Sequence, residues 1–370
     1  MGRKLDKLTI RGFKSIQQLE DFELGDLNVM VGANGSGKSN FVEFFRLLRA
    51  MVQQHLQVYI LKNGPADGFF FDGVAHTRKI EVDLTFGQNR YVFTLAPTKD
   101  GTVFIESEDS QYLGGGSLKQ ISRGALESHL KSKRDERSTF YPGAAGPNSY
   151  VWDAVSGWQV YHFHDTSMTA GMRRDSGVEQ GEVLQPDASN LAAFLLNLRE
   201  NEEENFQLIR KTLQRIAPYF DDFVPTVKKH KQEDQVRLTW TQKGKDYIFS
   251  PGHFSDGTIR FLCLATVILQ PYPPATIVLD EPELGLHPEA ITVLGGLLRS
   301  ASHRMQVIVA TQSPQLLAEF EPEQIITVDQ VEGASQFRRL DTESLDAWLE
   351  DYSVAELWQK GNIAGGINDA

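Results

Sequence analysis

Val31-Gly32-Ala33-Asn34-Gly35-Ser36-Gly37-Lys38-Ser39-Asn40 decides how this chain is read. The stretch fits G-x-x-x-x-G-K-S and falls between an apolar run, Leu27 to Val31, and a helical pattern from Asn40 to about Gln53. Its glycines let the backbone curl into a nest of N–H groups that suits the β- and γ-phosphates of a nucleotide. The helix that follows adds its positive N-terminal end. In that geometry Gly32, Asn34, Gly35, Ser36, Gly37, Lys38, Ser39 and Asn40 bind ATP. Lys38 neutralises phosphate charge and the Ser39 hydroxyl ligates Mg²⁺.

Upstream, Leu5 to Ile10 alternates as a first strand, Gly12 to Ile16 turns, and Phe22-Glu23-Leu24 resumes extended chain. Downstream, Phe41, Phe44, Phe45, Leu47, Leu48 and Met51 recur at helical spacing, which reads as core. From Lys79 the period becomes two. Lys79 to Phe86, Arg90 to Leu95 and Thr102 to Glu106 read as an antiparallel meander with one wet face. Glu108 to Ser149 has no clear period and reads as a mobile insertion with a short helix. Its run Lys131 to Arg137 is either a solvated face or a phosphate contact. Trp158 to Phe163 alternates as a strand. Ser189-Asn190 caps a helix from Leu191, and Glu202 to Ile216 carries Phe206, Ile209, Leu213 and Ile216 at a/d spacing over only two heptads. Asp221 to Val224, Val236 to Trp240 and Tyr247 to Phe249 supply further strands. Leu345 to Trp358 is amphipathic and either packs on the body or docks a partner.

The 370 residues suffice for a sizeable core, and the net charge of −12 counts against uniform coating of nucleic acid while leaving room for a local basic stripe. The single cysteine, Cys263, lies in an apolar run, which gives no disulfide framework and fits a reducing cytoplasm. No apolar run reaches the roughly 20 residues of a membrane span.

Three more stretches bear on nucleotide chemistry. Thr276-Ile277-Val278-Leu279 is an all-apolar run of the kind found in central parallel strands, and it ends in Asp280-Glu281-Pro282. Asp280 is placed to hold Mg²⁺, and Glu281 to accept a proton from the attacking water. Ser255-Asp256-Gly257-Thr258 opens a helix and can bind an anion at its N-terminus. Gln306 to Ala310 is a second buried run, ending in Thr311-Gln312-Ser313-Pro314 beside the expected γ-phosphate. Glu283-Leu284-Gly285-Leu286-His287-Pro288 follows the acidic pair, as a plain turn or as a loop in which Gly285 and His287 reach a partner's site.

Together with Ile10-Arg11-Gly12-Phe13-Lys14-Ser15, these motifs resemble the SMC/RecF-like branch of ABC-type ATPases. The chain is most similar to the compact, AAA-labelled bacterial ATPases related to overcoming-lysogenization-defect nucleases and Septu-type antiphage ATPases. Tyr161 to Thr166, Ser189 to Ala192 and Tyr352 to Trp358 fit that likeness too. It implies an α/β fold, an ABC-type P-loop ATPase head with a mostly parallel core sheet, an antiparallel β lobe and a helical subdomain. Residues 1–370 then form one head, with the antiparallel lobe at 79–107, a mobile insertion at 108–150 and a helical segment at 189–220. The signature, Walker B and switch half covers 250–330.

The resemblance further implies a homodimer that sandwiches ATP and Mg²⁺. Ser255, Asp256, Gly257 and Thr258 would act in trans as the signature, while Lys14 and Ser15 reach nucleotide. Glu281, Lys38 and Gln312 would be catalytic, although Gln312 stands where the family usually has His and cannot carry a proton. The equivalent of the γ-phosphate-sensing Q-loop is expected near His164-Asp165. The implied role is an ATP-hydrolysing switch that gates a separate nuclease or effector, with DNA as a candidate contact, in antiviral defence or DNA repair. A weakly hydrolysing scaffold and a transporter ATPase subunit are the alternatives. Transporter heads place the signature much nearer the phosphate loop than Gly257 is to Lys38 here.

Overall fold

The apolar runs around the motifs become neighbours in one sheet. In the computed structural model, which describes residues 4–136, 145–229, 233–341, 351–361 and 363, a six-stranded sheet has a single strand order. That order is Ala334–Arg339, Ile325–Val331, Leu27–Val31, Gln306–Thr311, Thr276–Asp280 and Trp158–Tyr161. All neighbours run parallel except the hairpin of the first two. Alternate side chains enter two separate cores. Val29, Val31, Ile277, Leu279, Val307 and Val309 pack with the helices Asp256–Leu269 and Pro288–Ser302. Met30, Val278, Ile308 and Ala310 pack against Phe41, Phe44, Phe45 and Leu48 of the helix Lys38–Val52. A strand covered on both faces has no wet side to encode, hence its unbroken apolar reading.

The parallel direction has a consequence for the site. Leu27–Val31, Gln306–Thr311, Thr276–Asp280 and Trp158–Tyr161 all end on one sheet edge, so the phosphate loop, Thr311-Gln312, Asp280-Glu281 and His162 to His164 emerge side by side.

The second large sheet is antiparallel: Ile16–Glu23, Lys7–Phe13, Ile80–Phe86, Asn89–Pro97, Val103–Tyr112 and Lys119–Ala125. It contains the expected meander but is larger on both sides. The first hairpin joins it, turning at Lys14, where φ is 48°. The segment expected as a mobile insertion supplies the rest of Val103–Tyr112, the strand Lys119–Ala125 and the helix Pro147–Ser156. The sequence misleads there because polar residues face inward and satisfy one another. The buried Glu108 carboxylate accepts from Tyr91 Oη and Ser122 Oγ, both at 2.7 Å, and from the His129 N–H at 3.1 Å. Arg137 and the expected turn at Pro142-Gly143 lie outside the described residues.

The helical segment is a pair, Leu191–Asn201 and Glu203–Ile216, with Phe206, Ile209 and Leu213 buried against the body. The expected cap is corrected. Asn190 makes no capping bond to its helix. Its amide donates instead to the carbonyls of Gln180 (2.6 Å) and Val183 (2.8 Å), which ties down the preceding loop. Two three-stranded sheets, built around Trp240–Gln242 and Gln235–Arg237, complete this half. Near the C-terminus, Val354–Gln359 is a helix with a Ser353–Glu356 capping box, and it buries Leu357 and Trp358. Leu345, Trp348 and Leu349 lie outside the described residues. Among the described residues no helix is long and apolar enough to cross a membrane.

Candidate nucleotide site

The phosphate loop is pre-shaped. Gly37, at φ 108°, opens the helix, and a Cβ there would meet Ser335 Oγ at 1.9 Å. A Cβ at Gly32 would lie 2.2 Å from the Val328 carbonyl. No larger residue fits either position. Lys38 is buried and donates to the carbonyls of Gly32 (2.6 Å) and Ala33 (2.9 Å). Burial lowers its pKa, opposed by the negative field of Glu281, Asp280 and Glu283, in that order. Asn34, Gly35, Gly37, Lys38, Ser39, Asn40 and Glu281 surround a cavity of about 140 Å³. Among the described residues the buried Ser36 Oγ has no hydrogen-bond partner.

Ser39 Oγ lies 3.5 Å from Asp280 Oδ1. A hydroxyl and a carboxylate at this separation fit Mg²⁺, which keeps several waters and takes further ligands from phosphates. Among the described residues no group of three or more His, Cys, Asp and Glu forms a metal cluster.

Glu281 adopts a left-handed backbone, φ 45°, and its N–H donates to the Ala310 carbonyl at 2.8 Å. A non-glycine residue held there is strained, and the neighbouring switch strand supplies the restraint. The turn sets Glu281 between the phosphate-loop cavity and a smaller one lined by Tyr161, His164, Arg260 and Asp280. His164 Nε2 is 3.1 Å from the Asp280 carbonyl, at the expected Q-loop position. The half-buried Gln312 is reached from behind. Glu283 Oε1 accepts from Thr311 Oγ1 (2.6 Å) and from the Gln312 N–H (3.4 Å). Glu283 is 8% exposed, its Oε2 has no hydrogen-bond partner among the described residues, and burial pushes its pKa up.

The signature stretch sits elsewhere. Ser255 caps its helix by accepting from the Thr258 N–H at 3.2 Å. Gly257 presses on the loop after Glu281, where a Cβ would lie 2.5 Å from the Gly285 carbonyl. Ser255, Asp256, Gly285 and His287 are exposed. None of residues 255–258 lines the phosphate-loop cavity of its own chain.

Lys14 and Ser15 are both committed within the chain. Lys14 Nζ donates to Glu43 Oε2 at 2.5 Å, and Ser15 Oγ accepts from the Asn40 amide at 2.7 Å. Four contributors escaped the sequence reading. Ser335 donates to the Ser36 carbonyl at 2.6 Å and lies 2.7 Å from Ser15 Oγ, bracing the loop. Arg173 donates to the carbonyls of Thr166 (2.9 Å), Pro251 (2.7 Å) and Phe254 (3.0 Å) and to Asp256 Oδ1 (2.8 Å). Arg260 donates to the carbonyls of Phe163 (2.9 Å), His164 (3.1 Å) and Leu284, linking the Q-loop position to the loop that carries Gly285. Glu283 is the fourth. A buried arginine inside an apolar helix run, Ile259-Arg260-Phe261, was the available signal for Arg260.

Fold and site together define a P-loop ATPase head of the ABC type. Comparison with known proteins agrees. The family described as "AAA domain, putative AbiEii toxin, Type IV TA system" matches residues 27–318, and the chain belongs to that family. A solved SMC head bound to the C-winged-helix domain of ScpA superposes with a TM-score of 0.59 at 16% identity, covering 93% of this chain and 99% of that one. An SMC head with an extended coiled coil, bound to the C-terminal domain of ScpA from Pyrococcus furiosus, gives 0.52 at 15% identity, covering 94% and 98%. At such identities the likeness is one of fold. No curated protein sequence matches the chain.

Proposed function

We propose that the chain hydrolyses ATP as a switch: two copies close head to tail around two nucleotides, and hydrolysis releases them. The observation that carries this reading is the separation of the two anion-binding helix starts. Ser255 and Asp256 are exposed and do not line the cavity of their own phosphate loop, and in this reading they complete the loop of a second copy. Ser39 and Asp280 would hold Mg²⁺, which neutralises phosphate charge as it builds. Glu281 accepts the proton of the attacking water, and the Gln312 amide orients that water or the γ-phosphate.

The closed dimer would then gate a separate DNA-directed nuclease or effector in antiviral defence or DNA repair. The related heads are seen bound to ScpA domains, and a partner protein on this head extends that pattern. Gln312 favours a second reading, in which turnover is slow and the ATP-bound dimer serves as a scaffold.

Light-scattering mass of the Glu281→Gln protein, with and without ATP and Mg²⁺, tests the switch. A mass that doubles with ATP supports it. A mass indifferent to ATP removes nucleotide-driven closure.

A further inference from the structure

The helix Lys38–Val52 carries two arginines beyond the phosphate loop, Arg46 and Arg49, one turn apart. Among the described residues neither guanidinium meets a carboxylate at ion-pair distance. Arg46 reaches only His162 Nδ1, at 3.5 Å, and the buried Arg49 Nε has no partner. Both side chains are half-buried, and a donor such as Arg49 Nε, shielded from solvent and unpaired, is costly unless an acceptor completes it. Both line a cavity of about 350 Å³ with His55, Tyr59, His162 and Asp187. That size is within the range of small-ligand sites. The charges around it do not cancel. Asp187 is the one carboxylate in the lining, and its Oδ1 already accepts from the Ser189 N–H at 3.0 Å. Glu43, on the same helix, is taken by Lys14 at 2.5 Å and by Tyr59 Oη at 3.3 Å.

We infer that this cavity is a second anion site, distinct from the phosphate loop, in which Arg46, Arg49 and His162 take a phosphate or pyrophosphate group carried by a mononucleotide or by the end of a nucleic-acid strand. Planar guanidinium forks match phosphate oxygens in pairs, which a scatter of surface lysines does not. The site is wired to the nucleotide chemistry. The His162 and His164 rings are 4.3 Å apart, and His164 Nε2 contacts the Asp280 carbonyl. Burial first, then His164 and Arg46, hold His162 below its ordinary pKa, and an anion here would relieve the repulsion from Arg46. The inference rests on the cavity and stands whether or not the chain hydrolyses ATP.

Isothermal titration of inorganic pyrophosphate into the Lys38→Ala protein reads this cavity with the phosphate loop disabled. Binding is expected, and adding Arg46→Ala with Arg49→Gln should weaken it by about tenfold or more. Arg46→Glu alone is the second variant. It leaves Arg49 in place, reverses one charge and should also remove binding. No binding to the Lys38→Ala protein overturns the site, as does binding that survives Arg46→Glu, or displacement by sulfate as effective as by pyrophosphate. AMP and a 5′-phosphorylated oligonucleotide, used as competitors, then distinguish the free nucleotide from the strand end. ATP binding to the unaltered protein is measured beside these. Its absence would remove the phosphate-loop reading and leave the second site untouched.

Discussion

Two helices in this protein begin at turns proposed to bind phosphate, and they are finished in opposite ways. The helix Lys38–Val52 starts in a loop backed by its own chain, with Val328 and Ser335 packed on its glycines and Lys38 folded back on Gly32 and Ala33, while Asn34, Gly35 and Ser39 stay exposed at its cavity. The helix Asp256–Leu269 is braced only from behind. Arg173, its side chain 3% exposed, grips the signature loop, while its partner Asp256 is 71% exposed. Arg260 locks the next turn. The front leaves Ser255 and Asp256 exposed beside the loop at Gly285. In the proposed head-to-tail pair, the backed loop of one copy would meet the exposed helix start of the other, and the bracing by Arg173 and Arg260 would preorganise that start for a second copy.

The comparison breaks most directly at Lys38. Lys38→Ala leaves the glycine cradle in shape but removes the cation that lines it, and nucleotide binding should fall below detection by equilibrium dialysis. Affinity equal to the unaltered protein would mean the loop does not hold phosphates. Glu281→Gln keeps size and hydrogen bonding but not the proton acceptor. Turnover should drop by about 10² to 10⁴ with ATP still bound, read as phosphate release beside nucleotide retention. Undiminished release would take Glu281 out of the reaction and leave the strained backbone at φ 45° without a chemical purpose.

The exposed helix start is probed at Ser255. Ser255→Arg puts a long cation on the exposed front and also removes a cap worth about 1 kcal/mol. ATP affinity of the monomer should stay within about twofold, since the change shares no partner with the phosphate loop. The ATP-dependent mass increase should vanish. Ser255→Asn keeps the cap with little added bulk and should retain more of that increase. A Ser255→Arg protein that still doubles in mass would mean that the two half-sites never meet.

Local features of the site were legible in the sequence and long-range ones were not. The phosphate loop, the acidic pair after Leu279 and the run ending at Thr311 each encode strand, turn and chemistry within a few residues. A parallel sheet then has to bring their ends together. Arg260 serves through carbonyls at Phe163, His164 and Leu284, and Arg173 through those at Pro251 and Phe254, partners that no periodicity announces. Asn190 looked like a cap because caps are local, but its partners at Gln180 and Val183 precede the helix. The strand Val103–Tyr112 looked like a loop after Glu108 because its inward polar side chains pair across the sheet. The misreadings share one physical form: a polar group whose satisfaction lies across the fold.

Glu283 gives the smallest effect and the sharpest view of how the phosphate-loop side is held. It is the buried carboxyl between the Asp280 turn and the switch strand, accepting from Thr311 and Gln312 with one oxygen and nothing with the other. Burial raises its pKa above the ordinary 4.5, against the lowering effect of those hydrogen bonds. The sign follows from linkage. A carboxyl whose folded pKa is raised contributes its stability in the protonated form, fully present below the unfolded pKa and lost as pH rises through the folded one. Glu283→Gln is neutral at every pH, so its melting temperature should match the unaltered protein near pH 4 and exceed it increasingly above. The gain is at most about 1.4 kcal/mol per unit of raised pKa, on the order of 2 °C for each kcal/mol. Melting curves of the two proteins from acid to neutral pH read it directly. If the Gln variant is instead the less stable at neutral pH and the gap closes in acid, the carboxylate is ionised in the fold. Glu283 would then hold Thr311 and Gln312 as a charged acceptor, and the switch strand would owe its position to electrostatics rather than to a buried neutral hydrogen bond.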